Sequence, residues 1–390
     1  MTIRSIKEAQ VDGKTVFVRV DFNIPMRNGL ISDDSRIIAA LPTLNLLRDN
    51  GARLIIASHL GRPAGKVIDD LRLEPVRIRL SELLKVNVTS AGGPSGSSPA
   101  KTLERLEING VALLENLRFD PGEENNNPEF SRHLASLADL YVNDAFGAAH
   151  RAHASTTGIT THLPSYAGLL MEKEIDMLGN SLNSSKGAAV AVVGGAKVGD
   201  KIHVLKNLTS KVDTILIGGG MLAAFLIASN RSGGAAEIKS EEVWAAKNLL
   251  DSGGAQVVLP ADVVTGRTFQ QNSIPTVYQA TDVPNDALIM DIGPRATKEY
   301  ARILGIANTI VWNGPMGVFE WEAFSKGSIG VARAIATNLK ATSVIGGGST
   351  TEIVKSQNLS KQITHVSTGG GASLEYLEGK ILPGVAALEW

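Results

Sequence analysis

Short apolar runs recur along the whole chain. Each closes on polar residues or glycines, and each is followed by apolar positions at helical spacing. In the first half they are Thr15–Asn23, Arg53–His59, Val111–Asn116 and Leu140–Ala145, with Val86–Ser90 as a shorter candidate. In the second half they are Ala188–Gly194, Thr214–Gly218, Gln256–Pro260, Ala287–Asp291, Thr309–Asn313, Ser343–Gly346 and Thr364–Thr368. Continuous apolar runs of this length predict strands buried on both faces, and strands alternating with helices predict parallel sheets. Eleven or so such units are too many for one doubly wound sheet, and a closed barrel takes about eight strands. The expected fold is α/β: two doubly wound, Rossmann-like parallel-sheet domains of about six strands each, joined by a helix hinge.

The joint is expected near residue 170. Leu169, Leu170, Ile175, Met177, Leu178 and Leu182 alternate with Glu172, Lys173, Glu174 and Asp176. This predicts one amphipathic helix from about Gly168 to Asn183, with Pro164 ahead of it and Ser184 to Gly187 behind. The domains are then 1–169, a connecting helix over 170–185, and 186–379. Gly92–Pro99 reads as a mobile loop without chemistry. Three triple glycines, Gly218–Gly220, Gly346–Gly348 and Gly369–Gly371, each follow an expected strand of the second half.

Composition narrows the classes. The chain has 390 residues, 43% hydrophobic and 20% charged, with a net charge of −1. That describes a globular protein without the basic excess of a nucleic-acid binder. No segment approaches the ~20 apolar residues needed to cross a bilayer, and the N-terminus lacks an apolar signal core. With no cysteine, disulfides, thiolate metal sites and cysteine nucleophiles are excluded, in keeping with a reducing cytosol. Residues 1–168 hold 14 Arg and 5 Lys, whereas residues 169–390 hold 5 Arg and 14 Lys. Arginine forks suit fixed, two-pronged contacts to phosphate and carboxylate, and lysine acts as a mobile point charge.

Ligands of open α/β sheets bind at the carboxyl ends of the strands. In the first half those ends carry Asp21, Asn23 and Arg36; His59 and Arg62; Glu115, Asn116 and Arg118; and Asn143, Asp144, His150 and Arg151. An arginine at each of four strand ends predicts a pocket for a multiply anionic ligand, and Asp21 and Asn23 suit its hydroxyl and carboxyl oxygens. In the second half the ends carry glycines and few charges. Bare backbone at many strand ends suits a nucleotide. The stretch from Ala188 to Lys201 joins an apolar run, Gly194, Gly195, and two lysines four apart, Lys197 and Lys201. It reads as a phosphate turn, or as an ordinary strand-to-helix turn with two solvated lysines.

Other chemistries meet these residues less well. A Walker loop needs a Gly-Lys pair and a hydroxyl, which the stretch lacks. Gly218-x-Gly220-x-x-Ala223, with Glu237 further on, matches a dinucleotide fingerprint but leaves every arginine of the first half without a task. His150 and His153 lack a clustered third ligand, so an anion contact for one and packing for the other is expected. No Gly-x-Ser-x-Gly elbow is present.

Seven longer stretches carry a resemblance: Val18–Pro25, Ser58–Pro63, Leu114–Phe119, Asp144–Ser155, Gly194–Lys201, Val311–Glu320 and Ser367–Ser373. In this order they resemble the phosphoglycerate kinase family, from near residue 6 to the end of the chain. The resemblance implies an N-terminal domain that binds 3-phosphoglycerate or 1,3-bisphosphoglycerate, and a C-terminal domain that binds ADP or ATP with Mg²⁺. It implies a cytoplasmic monomer, and a C-terminal tail, 380–390, that packs back on the first domain. Asp21, Asn23, Arg36, His59, Arg62, Arg118 and Arg151 would hold the phosphoglycerate. Arg36, Lys197, Lys201, Gly369 and Gly370 would serve the transfer. Gly195, Lys201, Gly219, Gly220, Asn313, Pro315, Glu320, Gly346, Gly347, Gly348 and Ser349 would bind the nucleotide.

Two positions depart from the family pattern. The family usually has aspartate after the glycines at Gly346–Gly348, serving the metal. Here Ser349 stands there, offering Mg²⁺ a neutral oxygen, with Glu352 one helical turn on. Ile289 stands where glycine is common, ahead of Asp291. Two rivals remain beside the kinase reading: a nicotinamide dehydrogenase using Gly218–Ala223, and a phosphometabolite-binding protein without turnover.

Overall fold

A computed structural model describes residues 3–183 and 187–389. The chain divides into two compact units, Met1–Ile175 with Ile381–Trp390, and Asp176–Lys380.

The first unit is built on a six-stranded parallel sheet. Its order is Val88–Ser90, Val111–Leu113, Arg53–Ala57, Thr15–Arg19, Leu140–Asn143 and Ser165–Ala167. Thr15–Arg19 is central, pairing with Arg53–Ala57 on one side and Leu140–Asn143 on the other. Four of its five residues are buried, as expected for a strand covered on both faces. The apolar run continues to Val20, but pairing stops at Arg19, which leaves Asp21, Asn23 and Pro25 in a loop at the strand's carboxyl end. Helices Ser35–Asp49 and Glu74–Leu84 cover the sheet through Ile37, Leu44, Leu47, Val76 and Leu80. The chain's last segment closes on this unit. Asn143 Nδ2 donates to the Gly384 carbonyl at 3.2 Å, Gly384 N–H donates to Ala149, and Leu382, Val385 and Leu388 are buried. Trp390, within the tail expected to dock, lies outside the described residues.

The second unit carries another six-stranded parallel sheet. Its order is Gln256–Val258, Thr214–Ile217, Ala189–Val193, Thr309–Asn313, Thr342–Gly346 and His365–Val366. Ala189–Val193 and Thr309–Asn313 are neighbours although the strands between them in sequence lie elsewhere. The strand order reverses there, and a crevice at such a reversal is where open sheets bind ligands.

Two expectations need correction, and one strand had not been foreseen. The run Ala287–Asp291 is not part of the parallel sheet: Leu288–Ile292 pairs antiparallel with Asp262–Gly266, which also pairs with Thr276–Gln279. A strand at Ser165–Ala167 closes the edge of the first sheet; it is too short to register as an apolar run. The expected connecting helix is not continuous either. It runs as an α-helix over Leu169–Ile175, widens into a π-helix over Asp176–Asn180, and resumes over Ser181–Asn183. Gly179, a poor helix former, sits in the wide turn, where a Cβ would lie 2.8 Å from the Tyr376 hydroxyl. Ser184 and Ser185, the last residues of that expected helix, lie outside the described residues.

Candidate active site

In the first unit, the loop after Thr15–Arg19 is tied to helix Ser35–Asp49. Asp21 Oδ1 accepts from the Asn23 N–H at 3.1 Å, which closes the turn. Asp21 Oδ2 accepts from Arg36 Nη1 at 3.0 Å, and the same nitrogen donates to the Asn23 carbonyl at 3.0 Å. Asn23 Oδ1 accepts from the Gly61 N–H at 2.9 Å, and Ser58 Oγ accepts from the Phe22 N–H at 2.8 Å. The loops following two adjacent strands are thereby locked together.

A third loop joins through Asn116. Its buried amide accepts from Leu60 and Arg118 N–H groups and donates to the carbonyls of Leu60 and Leu71. This clasp sets Arg118 in the short turn Leu117–Phe119, where Nη1 donates to the Gly61 carbonyl at 2.8 Å. Burial lowers the guanidinium from its usual range, against the pull of Glu124 Oε1 at 3.2 Å. His59 is buried, and its imidazolium is pushed well below the ordinary range by burial and by the charges of Arg19, Arg118, Arg36 and His153. Asp21, Asn23, Arg36, His59 and Arg118 therefore form one cluster. Arg151 is exposed, with Nε 3.2 Å from His150 Nε2, and its charge acts on Arg118. Arg62 is exposed, and among the described residues no hydrogen bond or ion pair draws it into the cluster. His153 is buried, and desolvation with the nearby arginines brings its pKa down to about 3.

The sequence reading missed Arg19, Glu123 and Ser155, a buried polar group behind this cluster. The signal was available in Val16–Val20, where a lone arginine interrupts an otherwise apolar strand.

In the second unit, glycines bring backbone against backbone. Gly219 has φ +72°, and a Cβ there would come within 2.6 Å of Gly195 N and O. A Cβ on Gly194 would meet the Pro315 carbonyl oxygen at 2.0 Å, and one on Gly220 the Ala196 oxygen at 2.8 Å. Only glycine fits these approaches. The Gly219 N–H is engaged with the Met316 carbonyl at 2.8 Å, so the residue's contribution is steric clearance. Asn313, the last residue of its strand, accepts from the Lys201 ammonium and donates to the Gly346 carbonyl at 3.1 Å. Burial lowers the Lys201 pKa, whereas Lys197 is exposed.

Gly347, at φ +95°, turns the chain into helix Gly348–Ser356, whose first-turn N–H groups have no intrahelical acceptor. Ser349 and Glu352 are both exposed there. Gly370, at φ +53°, leads into helix Gly371–Leu377. The Gly369 N–H is engaged with Ser367 Oγ at 3.1 Å, so Gly370 is the freer donor of the pair. Pro315 is half-buried and Glu320 is exposed in the loop after Thr309–Asn313. Ile289 is half-buried and pairs with Thr265. Among the described residues, no three His, Cys, Asp or Glu side chains gather as a metal cage.

Gly218–Ala223 does join a strand to helix Leu222–Ala228, but Glu237 is exposed in the loop beyond that helix, not at a strand end. The dinucleotide reading thus lacks its ribose acceptor. A cavity of about 860 Å³ in this unit is lined by Val264, Val277, Ile292, Pro294, Lys298 and Lys326 among others, and includes none of the residues named for the nucleotide.

A sequence model of the phosphoglycerate kinase family matches residues 6–380. A phosphoglycerate kinase of Moorella thermoacetica is 48% identical over 387 residues, covering 98% of each chain. The structure of phosphoglycerate kinase from Coxiella burnetii superposes with a TM-score of 0.90 at 39% identity, covering 99% of each chain. That from Pyrococcus horikoshii superposes at 0.86 and 34% identity, over 99% of this chain and 98% of the other. No helix among the described residues is long and apolar enough to cross a membrane.

Proposed function

The chain belongs to the phosphoglycerate kinase family, and from that premise we propose how its residues divide the reaction. The reaction is reversible transfer of a phosphoryl group from 1,3-bisphosphoglycerate to ADP, giving 3-phosphoglycerate and ATP. The residue assignment is supported by an arginine cluster at the carboxyl ends of the first unit's parallel sheet and, separately, a glycine and lysine cluster at those of the second unit's.

Asp21, Asn23, Arg36, His59, Arg62, Arg118 and Arg151 hold the phosphoglycerate. Arg36 and Arg118 are pre-positioned, each tied to backbone of a neighbouring loop, so little ordering remains to be done on binding. Gly195, Gly219, Gly220, Asn313, Pro315, Glu320 and Gly346 to Ser349 form the nucleotide seat, with Lys201 on the phosphates.

The attacking atom is already an anionic oxygen, of ADP in one direction and of a carboxylate in the other. No general base is needed. What the protein supplies is alignment and neutralisation of crowded negative charge. Arg36 and Lys197 bring cations to the moving phosphoryl group, and the Gly370 N–H offers a donor at a strand end. Because the two clusters sit on different units, transfer requires closure that brings them to one phosphoryl group and excludes water.

Mg²⁺ is the cofactor proposed here. The donor set for it is thin: Ser349 offers a neutral oxygen, and no carboxylate cage is present among the described residues. The ion therefore comes with the nucleotide's phosphates and, when bound, offsets their charge. Monomeric state and cytoplasmic location are proposed on the family alone.

The test is ATP-dependent phosphorylation of 3-phosphoglycerate, drawn forward by a coupled reductase. Turnover with Mg²⁺ is expected. Binding of both ligands without turnover would sink the reading in favour of a binding protein.

A further inference from the structure

Arg19 is the last residue of strand Thr15–Arg19 and is fully buried. Burial of a cation is costly unless its donors and its charge are met. Nε donates to Ser155 Oγ at 2.8 Å, Nη1 donates to the Val20 carbonyl, and Nη2 lies 3.2 Å from His59 Nδ1. The counter-charge is Glu123, also fully buried, with Oε1 4.0 Å from Arg19 Nη2. Glu123 is fixed in turn by Ser155, whose hydroxyl donates to Oε1 at 2.6 Å and whose N–H donates to Oε2 at 3.0 Å. The Ser155 carbonyl accepts from the Tyr141 hydroxyl at 2.7 Å. A hydrogen-bonded chain thus runs from Glu123 through Ser155 and Arg19 to His59.

A guanidinium has donors and no acceptor. Facing Arg19, His59 Nδ1 must therefore accept, which leaves the single ring proton on Nε2. We propose that Arg19, anchored by Glu123 and Ser155, is a positioning residue that fixes His59 as the neutral Nε2–H tautomer. His59 then meets the phosphorylated substrate as a hydrogen-bond donor, and cationic charge at the site is left to the arginines. The proposal rests on the assignment of His59 to the phosphoglycerate site. The charged and titratable groups acting on His59 are Arg19, Arg118, Arg36 and His153, and together with burial all of them oppose its protonation.

The test uses the full chain. Ring-nitrogen NMR of the wild type between pH 6 and 8 should show His59 protonated at Nε2 alone and not titrating. A proton on Nδ1, or an ordinary histidine titration, would overturn the proposal without any variant. Arg19→Met with Glu123→Gln removes both buried charges together, which avoids stranding one of them. That double variant should mix the tautomers and raise the KM for 3-phosphoglycerate about tenfold, the worth of one hydrogen bond to a charged group, with the KM for ATP unchanged. In a His59→Gln background the same pair should add nothing further. An unchanged tautomer in the folded variant, or an equal KM rise in the His59→Gln background, would overturn it. If His59→Ala leaves the KM for 3-phosphoglycerate untouched, the site assignment fails, while the ring-nitrogen spectrum still judges the tautomer.

Discussion

The Lys201 ammonium donates to Asn313 Oδ1, and Asn313 Nδ2 donates to the Gly346 carbonyl at 3.1 Å. One amide thereby couples two strand ends of the second sheet to the start of helix Ile202–Leu208. Asn313 is almost fully buried, and burial already disfavours the Lys201 cation. Asn313→Leu keeps the approximate volume and removes both bonds. It should weaken ADP binding about tenfold, the loss of one charge-assisted bond, and leave 3-phosphoglycerate binding alone. Calorimetric titration of each ligand reads both. Unaltered ADP affinity would mean that Asn313 does not hold Lys201 for the nucleotide.

Arg36 is held by Asp21 and by the Asn23 carbonyl, and Lys197 is exposed. Both are assigned to the moving phosphoryl group, so their worth is greatest in the transition state. Arg36→Ala and Lys197→Ala should each lower kcat by about 10²–10³ while weakening ADP binding far less. Steady-state rates beside equilibrium ADP binding separate the two effects. Near-normal turnover in either variant would remove that residue from the transfer step.

The sequence exposed strand ends better than it exposed what stands behind them. Asp21, Asn23 and Arg36 were legible because an apolar run stops abruptly and its polar followers must lie at the carboxyl end. Arg19 was hidden inside such a run, and its partners are remote in sequence, Glu123 in the short helix Pro121–Glu124 and Ser155 in a turn, where no periodicity announces a pairing. The three-stranded antiparallel sheet escaped for a related reason. Thr276–Gln279 is short and largely exposed, so its apolar pattern is faint, and its pairing with Asp262–Gly266 is an antiparallel contact that an alternation of strand and helix does not forecast. The π-turn over Asp176–Asn180 keeps the amphipathic spacing of a plain helix closely enough to pass for one.

Ser349 opens a prediction about the metal. It lies exposed in the first turn of helix Gly348–Ser356 and brings no charge to a phosphate-bound cation. An aspartate there would add a hard anionic oxygen. Ser349→Asp should therefore tighten Mg-ADP binding when free Mg²⁺ is scarce, with a smaller effect when it is abundant. Titrating ADP at several free Mg²⁺ concentrations gives the comparison. An affinity equal to wild type across the series would place the ion's protein contact elsewhere.

Asp291 predicts a pH dependence of stability. Its carboxylate is buried and accepts from the Ile292 and Gly327 N–H groups, at 2.9 and 2.7 Å. Burial outweighs these bonds and raises its pKa to about 7. In the unfolded chain the same group ionises near pH ~3.9. Between those values the folded protein holds a proton that the unfolded chain has released, so stability falls as pH rises through the window. The favourable contribution is complete below about pH 4 and lost once the folded carboxyl ionises near 7. Asp144 is raised in the same direction, to about 6, and other groups titrate as well, so the wild type alone cannot isolate Asp291. The difference from Asp291→Asn does, because the shared groups cancel. That variant is expected to be less stable than wild type at pH 5, having lost an acceptor for one of the two N–H groups, and to regain ground steadily toward pH 8. Melting temperatures of both proteins across pH 5–8 give the curve. A gap that stays constant with pH would show that Asp291 does not change its protonation on folding in this range.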